Sequence, residues 1–225
     1  MMSFAGPATV VCLLVVCGLV EAQTPCCWFN KWEGQISQKL GVYDRIGNYA
    51  SVADIQSVLH VDYDLKKVVN EMVLTNASVV YTMTIYEDFN QKMTYTVIDG
   101  QCFKSNLTAA LDNSCVPAGA TYMGTHDYVG IKADTWFLPS SAGPRTSTVR
   151  ITVSKNECVP LHEVLLTIDN TSSMSILSMQ NITAGIADAS IFNIPDICTM
   201  SSSHVSETPR MSVVGLHGHL RQRTL

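Results

Sequence analysis

Val79-Val-Tyr-Thr-Met83-Thr-Ile-Tyr86-Glu-Asp-Phe-Asn90-Gln-Lys-Met93-Thr-Tyr-Thr-Val97-Ile98 is the stretch that decides the fold class. Val79, Tyr81, Met83 and Ile85 alternate with Val80, Thr82, Thr84 and Tyr86, and Met93, Tyr95 and Val97 alternate with Thr94 and Thr96. Successive side chains of an extended backbone point to opposite faces, so a period of two writes one apolar face and one mixed face. The residues are largely β-branched or aromatic, which suits a pleated surface. Glu87-Asp88-Phe89-Asn90 fits a hairpin loop, and Asp99-Gly100 marks the next turn. The stretch predicts an antiparallel meander.

Working outward, the period of two continues upstream, where Leu59, Val61 and Tyr63 alternate with His60 and Asp62. Downstream, a looser stretch at 107–120 precedes predicted strands at 126–132, 135–138, 148–153, 163–169 and 174–182. Residues 139–144, with Pro139 and Pro144, predict a loop, because proline cannot donate to a ladder. Residues 50–59 fit helical spacing as well as strand spacing, and 184–192 suit a short helical turn before Pro195. From Ser201 the chain has no period and little to bury, which predicts a flexible tail over 201–225. The class is mostly β with few short helices.

The compartment is written at the other end. Ala8 to Val20 is an apolar run, shorter than the about 20 residues a bilayer span needs, and it ends at Val20-Glu21-Ala22 with a small residue at the cut. This reads as a signal peptide over 1–22, although no Lys or Arg precedes the run; an N-terminal membrane anchor is the alternative. Later residues contain no stretch of spanning length, so no transmembrane segment is expected in the mature protein. Cys12 and Cys17 leave with the signal. Cys26, Cys27, Cys102, Cys115, Cys158 and Cys198 remain, an even set that an oxidising compartment turns into three disulfides, with 15 connectivities left open by spacing. Neighbouring Cys26 and Cys27 are expected to take different partners, because bridging adjacent residues strains the bond. Asn76, Asn106, Asn170 and Asn181 each open an acceptor sequon for N-glycosylation, which suits a secreted, extracellular protein.

Several functions are excluded by what the pattern lacks. The formal charge is −5, with Lys and Arg scattered, so nucleic acid is not a partner. There is no G-x-S-x-G elbow. His126-Asp127 and His162-Glu163 are neighbours on predicted strands, so their side chains point apart rather than pairing for catalysis. Asp62-Tyr63-Asp64 begins like a calcium loop, but Lys66, Lys67 and Val73 occupy positions that an EF-hand needs for ligands and glycine. Calcium held by scattered loop oxygens, and a soft metal at His217 and His219 in the tail, are the remaining metal readings. No cofactor is required, and no enzyme is expected.

Met72, Met83, Met93, Tyr86 and Tyr95 then become the functional material, read either as ordinary core or as the adaptable lining of a cavity for an apolar ligand.

An ordered set of residues resembles the ependymin-related proteins, of invertebrate and molluscan type. Pro25-Cys26 and Trp32-Glu33-Gly34 open it, and Tyr63-Asp64 and Gln101-Cys102 continue it. Cys158-Val-Pro160 follows, and Gly185-Ile-Ala-Asp188-Ala-Ser190-Ile-Phe192 with Pro195 and Cys198 closes it. The resemblance spans roughly Pro25 to Met200, and the domain is placed at 23–200. It implies two stacked, curved antiparallel sheets, a half-barrel or sandwich, around a hydrophobic pocket. It also implies a non-catalytic glycoprotein associated with lipid-like ligands, calcium and cell-matrix adhesion, often a homodimer; some relatives occur in the organic matrix of shells. By position it pairs Cys26 with Cys158 and Cys102 with Cys198. The vertebrate pattern has a further bridge that this chain lacks, and Cys27 with Cys115 is the expected replacement. The leading expectation is a secreted binder of a hydrophobic small molecule or lipid. The alternative is a structural or adhesive glycoprotein with partners in the extracellular matrix.

Overall fold

A computed structural model of the chain describes residues 23–200, apart from 77–78, 112–113, 143–144 and 169. The predicted signal peptide at 1–22 and the tail at 201–225, with His217 and His219, lie outside the described residues.

Eleven strands form in chain order: β1 Lys31–Asp44, β2 Tyr49–Asp62, β3 Lys67–Asn76, β4 Val79–Asp88, β5 Met93–Ile98, β6 Gln101–Asn106, β7 Thr121–Tyr128, β8 Ile131–Ala142, β9 Arg145–Ser154, β10 Pro160–Ile168 and β11 Thr171–Ala184. A 3-10 turn at Ala189–Phe192 and a short helix, α1, at Asp196–Met200 follow. All eleven strands belong to one antiparallel sheet of order β6-β5-β4-β3-β2-β1-β11-β10-β9-β8-β7. It consists of two meanders, β1–β6 and β7–β11, zipped together where β1 pairs with β11.

That zipper corrects the expectation of two stacked sheets. β1 pairs from Lys31 to Asp44 with β2 on one side and from Trp32 to Asp44 with β11 on the other, so backbone hydrogen bonding runs across the seam. Alternation reports which face a residue takes, but not which strand lies beside it.

The inner face reads directly from the register. Trp32 and Ile36 on β1 lie level with Val61 on β2 and Met179 on β11 respectively, and all four are buried. Gly34 stands between them because a Cβ there would meet the side chain of Ile182. Gln38 continues the same face and donates to Ser175 Oγ at 2.8 Å, which satisfies both polar groups where water is excluded.

Several local expectations change. Residues 50–59 are strand throughout, as part of β2. The expected strand at 126–132 is instead the end of β7, a turn at Val129-Gly130 and the start of β8; both turn residues have positive φ (51° and 81°). β8 runs on through Pro139, where a loop was expected. β7 pairs with β8 only as far as Phe137, so beyond that point β8 has one partner and an open side that can accept a residue with no N–H. Asp99 and Gly100, both at positive φ, form the two-residue β5–β6 turn.

The inner face is closed by segments outside the sheet. Residues 23–30 and the crossing segment 107–120, which links one sheet edge to the other, are held together by Trp28 N–H to the Ser114 carbonyl (2.7 Å) and Val116 N–H to the Cys26 carbonyl (2.8 Å). Disulfides join Cys26 to Cys158, Cys27 to Cys115 and Cys102 to Cys198. They tie the N-terminal segment to the β9–β10 turn, the same segment to the crossing, and β6 to α1. Trp28 packs against two core clusters at once, one around Trp136, Val149 and Leu165, the other around Trp32, Leu59 and Leu177.

Candidate functional site

At the end of the sheet where β2 turns into β3, and β4 into β5, the turns 63–66 and 89–92 lie side by side. Asp62 and Asp88 each shape their own turn, accepting from Leu65 N–H (2.7 Å) and Gln91 N–H (2.9 Å) through Oδ1. Phe89 N–H then donates to the Lys66 carbonyl at 3.1 Å, and Asn90 Nδ2 to the Leu65 carbonyl at 2.9 Å, which locks the two turns together. Each turn ends on a lysine in the left-handed region, Lys66 at φ 53° and Lys92 at φ 54°. Leu107 N–H donates to the Lys92 carbonyl at 2.8 Å, so the crossing segment leaves β6 directly over this pair of turns.

Between them lies a half-open cavity of about 700 Å³. Phe89, Met93, Leu107 and Leu111 supply its apolar wall, and Lys66 and Lys92 line it as well. Phe89 and Leu111 also pack against the core cluster around Trp32 and Leu59, so the wall is backed by close-packed protein.

Charge around the cavity is unevenly satisfied. The carboxylates nearest in sequence are already taken: Asp62 and Asp64 lie 3.2 and 3.5 Å from Lys31 Nζ, and Asp88 lies 3.6 Å from Lys67 Nζ. Lys66 and Lys92 have no ion-pair partner among the described residues. In a chain of net charge −5, the cavity is thus lined by two lysines that no carboxylate pairs with among the described residues.

The other wing of the sheet holds a different polar group. Glu163 on β10 faces inward between Ile151 on β9 and Leu177 on β11. It is 1% exposed, and its Oε1 has no hydrogen-bond partner among the described residues. Burial without a donor penalises the anion and pushes this carboxyl from 4.5 up to about 7. Its neighbour His162 faces the other way and lies against Tyr128, so the two do not form a dyad.

The remaining sequence candidates are dispersed. Met72 and Met83 form a buried cross-strand pair on the inner face, Tyr86 and Tyr95 pair on the outer face, and Met93 belongs to the cavity; they do not share one lining. Asp127 accepts from Gly130 N–H and lies 3.9 Å from Lys132, while His126 meets Thr135. Among the described residues no group of three or more His, Cys, Asp or Glu side chains lies close enough to hold one ion. Asn76, Asn106, Asn170 and Asn181 are all exposed, and Asn106 and Thr108 of one sequon lie in the cavity lining. No helix among the described residues is long and apolar enough to cross a membrane.

Alternation could not locate this site. Its walls come from two turns and a crossing segment that are far apart in sequence and lack a period. The one signal available was two lysines, each closing a four-residue turn.

No curated protein matches this chain in sequence. Among solved structures it is similar to an uncharacterized conserved protein from Thermus thermophilus, at 11% identity over 76% of this chain and 86% of that one, with a TM-score of 0.45. It is also similar to a DUF1329 family protein from Desulfovibrio piger (10% identity, 73% and 90% covered, TM-score 0.36) and to a LolA superfamily protein from Nitrosomonas europaea (7%, 73% and 90%, 0.34). These likenesses are too loose to carry a ligand across. The Ependymin family model matches residues 77–198, more than half of the 225-residue chain. The chain belongs to the ependymin family.

Proposed function

We propose that this ependymin-family chain is a secreted, non-catalytic binding protein that holds a hydrophobic, lipid-like molecule in the cavity beneath residues 107–111. The observation that carries this reading is the 700 Å³ space walled by Phe89, Met93, Leu107 and Leu111. Ligand pockets typically measure about 300–1,000 Å³ and are mostly apolar, so the space suits a small amphiphile. Each Å² of apolar surface moved from water into such a wall contributes roughly 25 cal/mol. Met93 gives the wall a side chain that adapts to chain length and shape. Three disulfides support an oxidising, extracellular setting.

Native mass spectrometry of the protein secreted from its own tissue, followed by lipid extraction, tests the reading. The expected result is a released mass from an apolar or amphipathic small molecule. Protein that emerges ligand-free and takes up no lipid from a mixed extract overturns it.

A matrix or adhesion role is favoured by a separate observation, the exposure of all four sequon asparagines. In that reading glycans and the outer face make the contacts. Enzymatic removal of glycans would abolish matrix attachment under it, and would leave lipid uptake intact under the first.

A further inference from the structure

We propose that the ligand of this cavity is an amphipathic anion, an alkyl chain ending in a carboxylate or phosphate group that Lys66 and Lys92 hold together. The inference rests on the reading of the cavity as the binding site and adds the chemistry of the ligand's polar end.

Three observations converge on it. The apolar wall is backed by core, and both lysines line the same space. The turns that carry them are fixed to each other through Phe89 N–H and the Lys66 carbonyl, and to the crossing segment through Leu107 N–H and the Lys92 carbonyl. The two backbones are therefore held in place, and only the side chains have to move to meet a head group. The carboxylates nearest to them in sequence are already engaged, Asp62 and Asp64 by Lys31 and Asp88 by Lys67. An anion entering here gains charge-assisted hydrogen bonds without displacing an existing ion pair. A neutral head group forfeits that gain, and an ammonium head group meets like charge. Because the cavity opens to solvent, salt screens the attraction.

The test is calorimetric titration of the intact secreted protein with four probes of equal chain length: decanoate, decyl phosphate, 1-decanol and decylammonium. Either anion is expected to bind on the order of tenfold more tightly than 1-decanol, a ratio that shrinks as salt is added. Decylammonium should bind more weakly than the alcohol. The preferred anion identifies the head group as carboxylate or phosphate. The double variant K66Q/K92Q should bring the ratio of anion to alcohol affinity to about one, and K66E/K92E should invert the preference towards decylammonium. Equal binding of all four probes, or an anion preference that survives both variants, overturns the proposal and leaves the apolar cavity standing. Failure of every probe to bind, or alcohol binding that ignores Phe89→Ala, overturns the cavity reading and this proposal with it.

Discussion

The two wings of the sheet are built alike and finished differently. Both are meanders that hang from the β1–β11 seam, and both turn alternate residues inward. On the β7–β10 wing the inner face is covered closely: Val116 from the crossing segment, Trp28 and the Cys26–Cys158 bridge pack onto Trp136, Val149, Ile151 and Leu165. On the other wing the crossing segment stands over the 63–66 and 89–92 turns and leaves room beneath it. The first wing is close-packed under these segments, and the second carries a half-open space at its turn end. One crossing segment serves both, pinned by Cys27–Cys115 near its far end and free of any disulfide at 107–111.

Mutations that separate these roles break or sharpen the contrast. The largest effect belongs to the closed wing. Trp136→Ala removes a side chain that is 1% exposed, and should cost about 3–5 kcal/mol in denaturant unfolding. A loss under about 1 kcal/mol would mean that this wing is not closely packed.

Glu163 comes next. Its folded carboxyl holds a proton up to about pH 7, while the unfolded chain releases it near 4.5. The folded state therefore binds more protons between those values, and stability falls as pH rises through that window. The slope of one proton is about 1.4 kcal/mol per pH unit, which accumulates to about 3 kcal/mol and then levels off above pH 7. Glu163→Gln removes the titration, so the variant should gain by that amount relative to the parent between pH 4.5 and 7. Parallel stability curves for variant and parent would show that water or a donor reaches the carboxylate.

Smaller effects belong to the open wing. Phe89→Ala, at a half-buried wall residue, should cost on the order of 1 kcal/mol of stability and lower the affinity for an apolar ligand by about tenfold. K66Q/K92Q alters exposed turn residues with no ion pair among the described residues, so unfolding should move by less than about 0.5 kcal/mol. A large destabilisation there would assign the lysines to the turns rather than to a ligand.

How much of this was legible depends on where periodicity survives. The strands β4 and β5 could be read from 79–98, because nothing interrupts their alternation. β1, the strand at the centre of the sheet, was not predicted, since its inner positions 34 and 38 are Gly and Gln. Gly34 makes space for Ile182, and Gln38 pairs with Ser175. Both reasons lie on β11, remote in sequence. In sequence Glu163 reads as a neighbour of His162, although its parity with Leu161 and Leu165 places it inward. Spacing left 15 disulfide connectivities open, because the structure brings Cys27 beside Cys115 through a backbone bridge that no pattern encodes. The cavity depends on three aperiodic segments meeting, and alternation says nothing about those.

In the proposed binding mode, ligand enters under residues 107–111 and not between the covered strands. Hydrogen exchange of the protein with and without saturating 1-decanol tests this directly. The account predicts slowed exchange at 89–93 and 107–111, with 149–153 and 161–165 unchanged. Protection confined to those strands, or none anywhere despite measured binding, would contradict it.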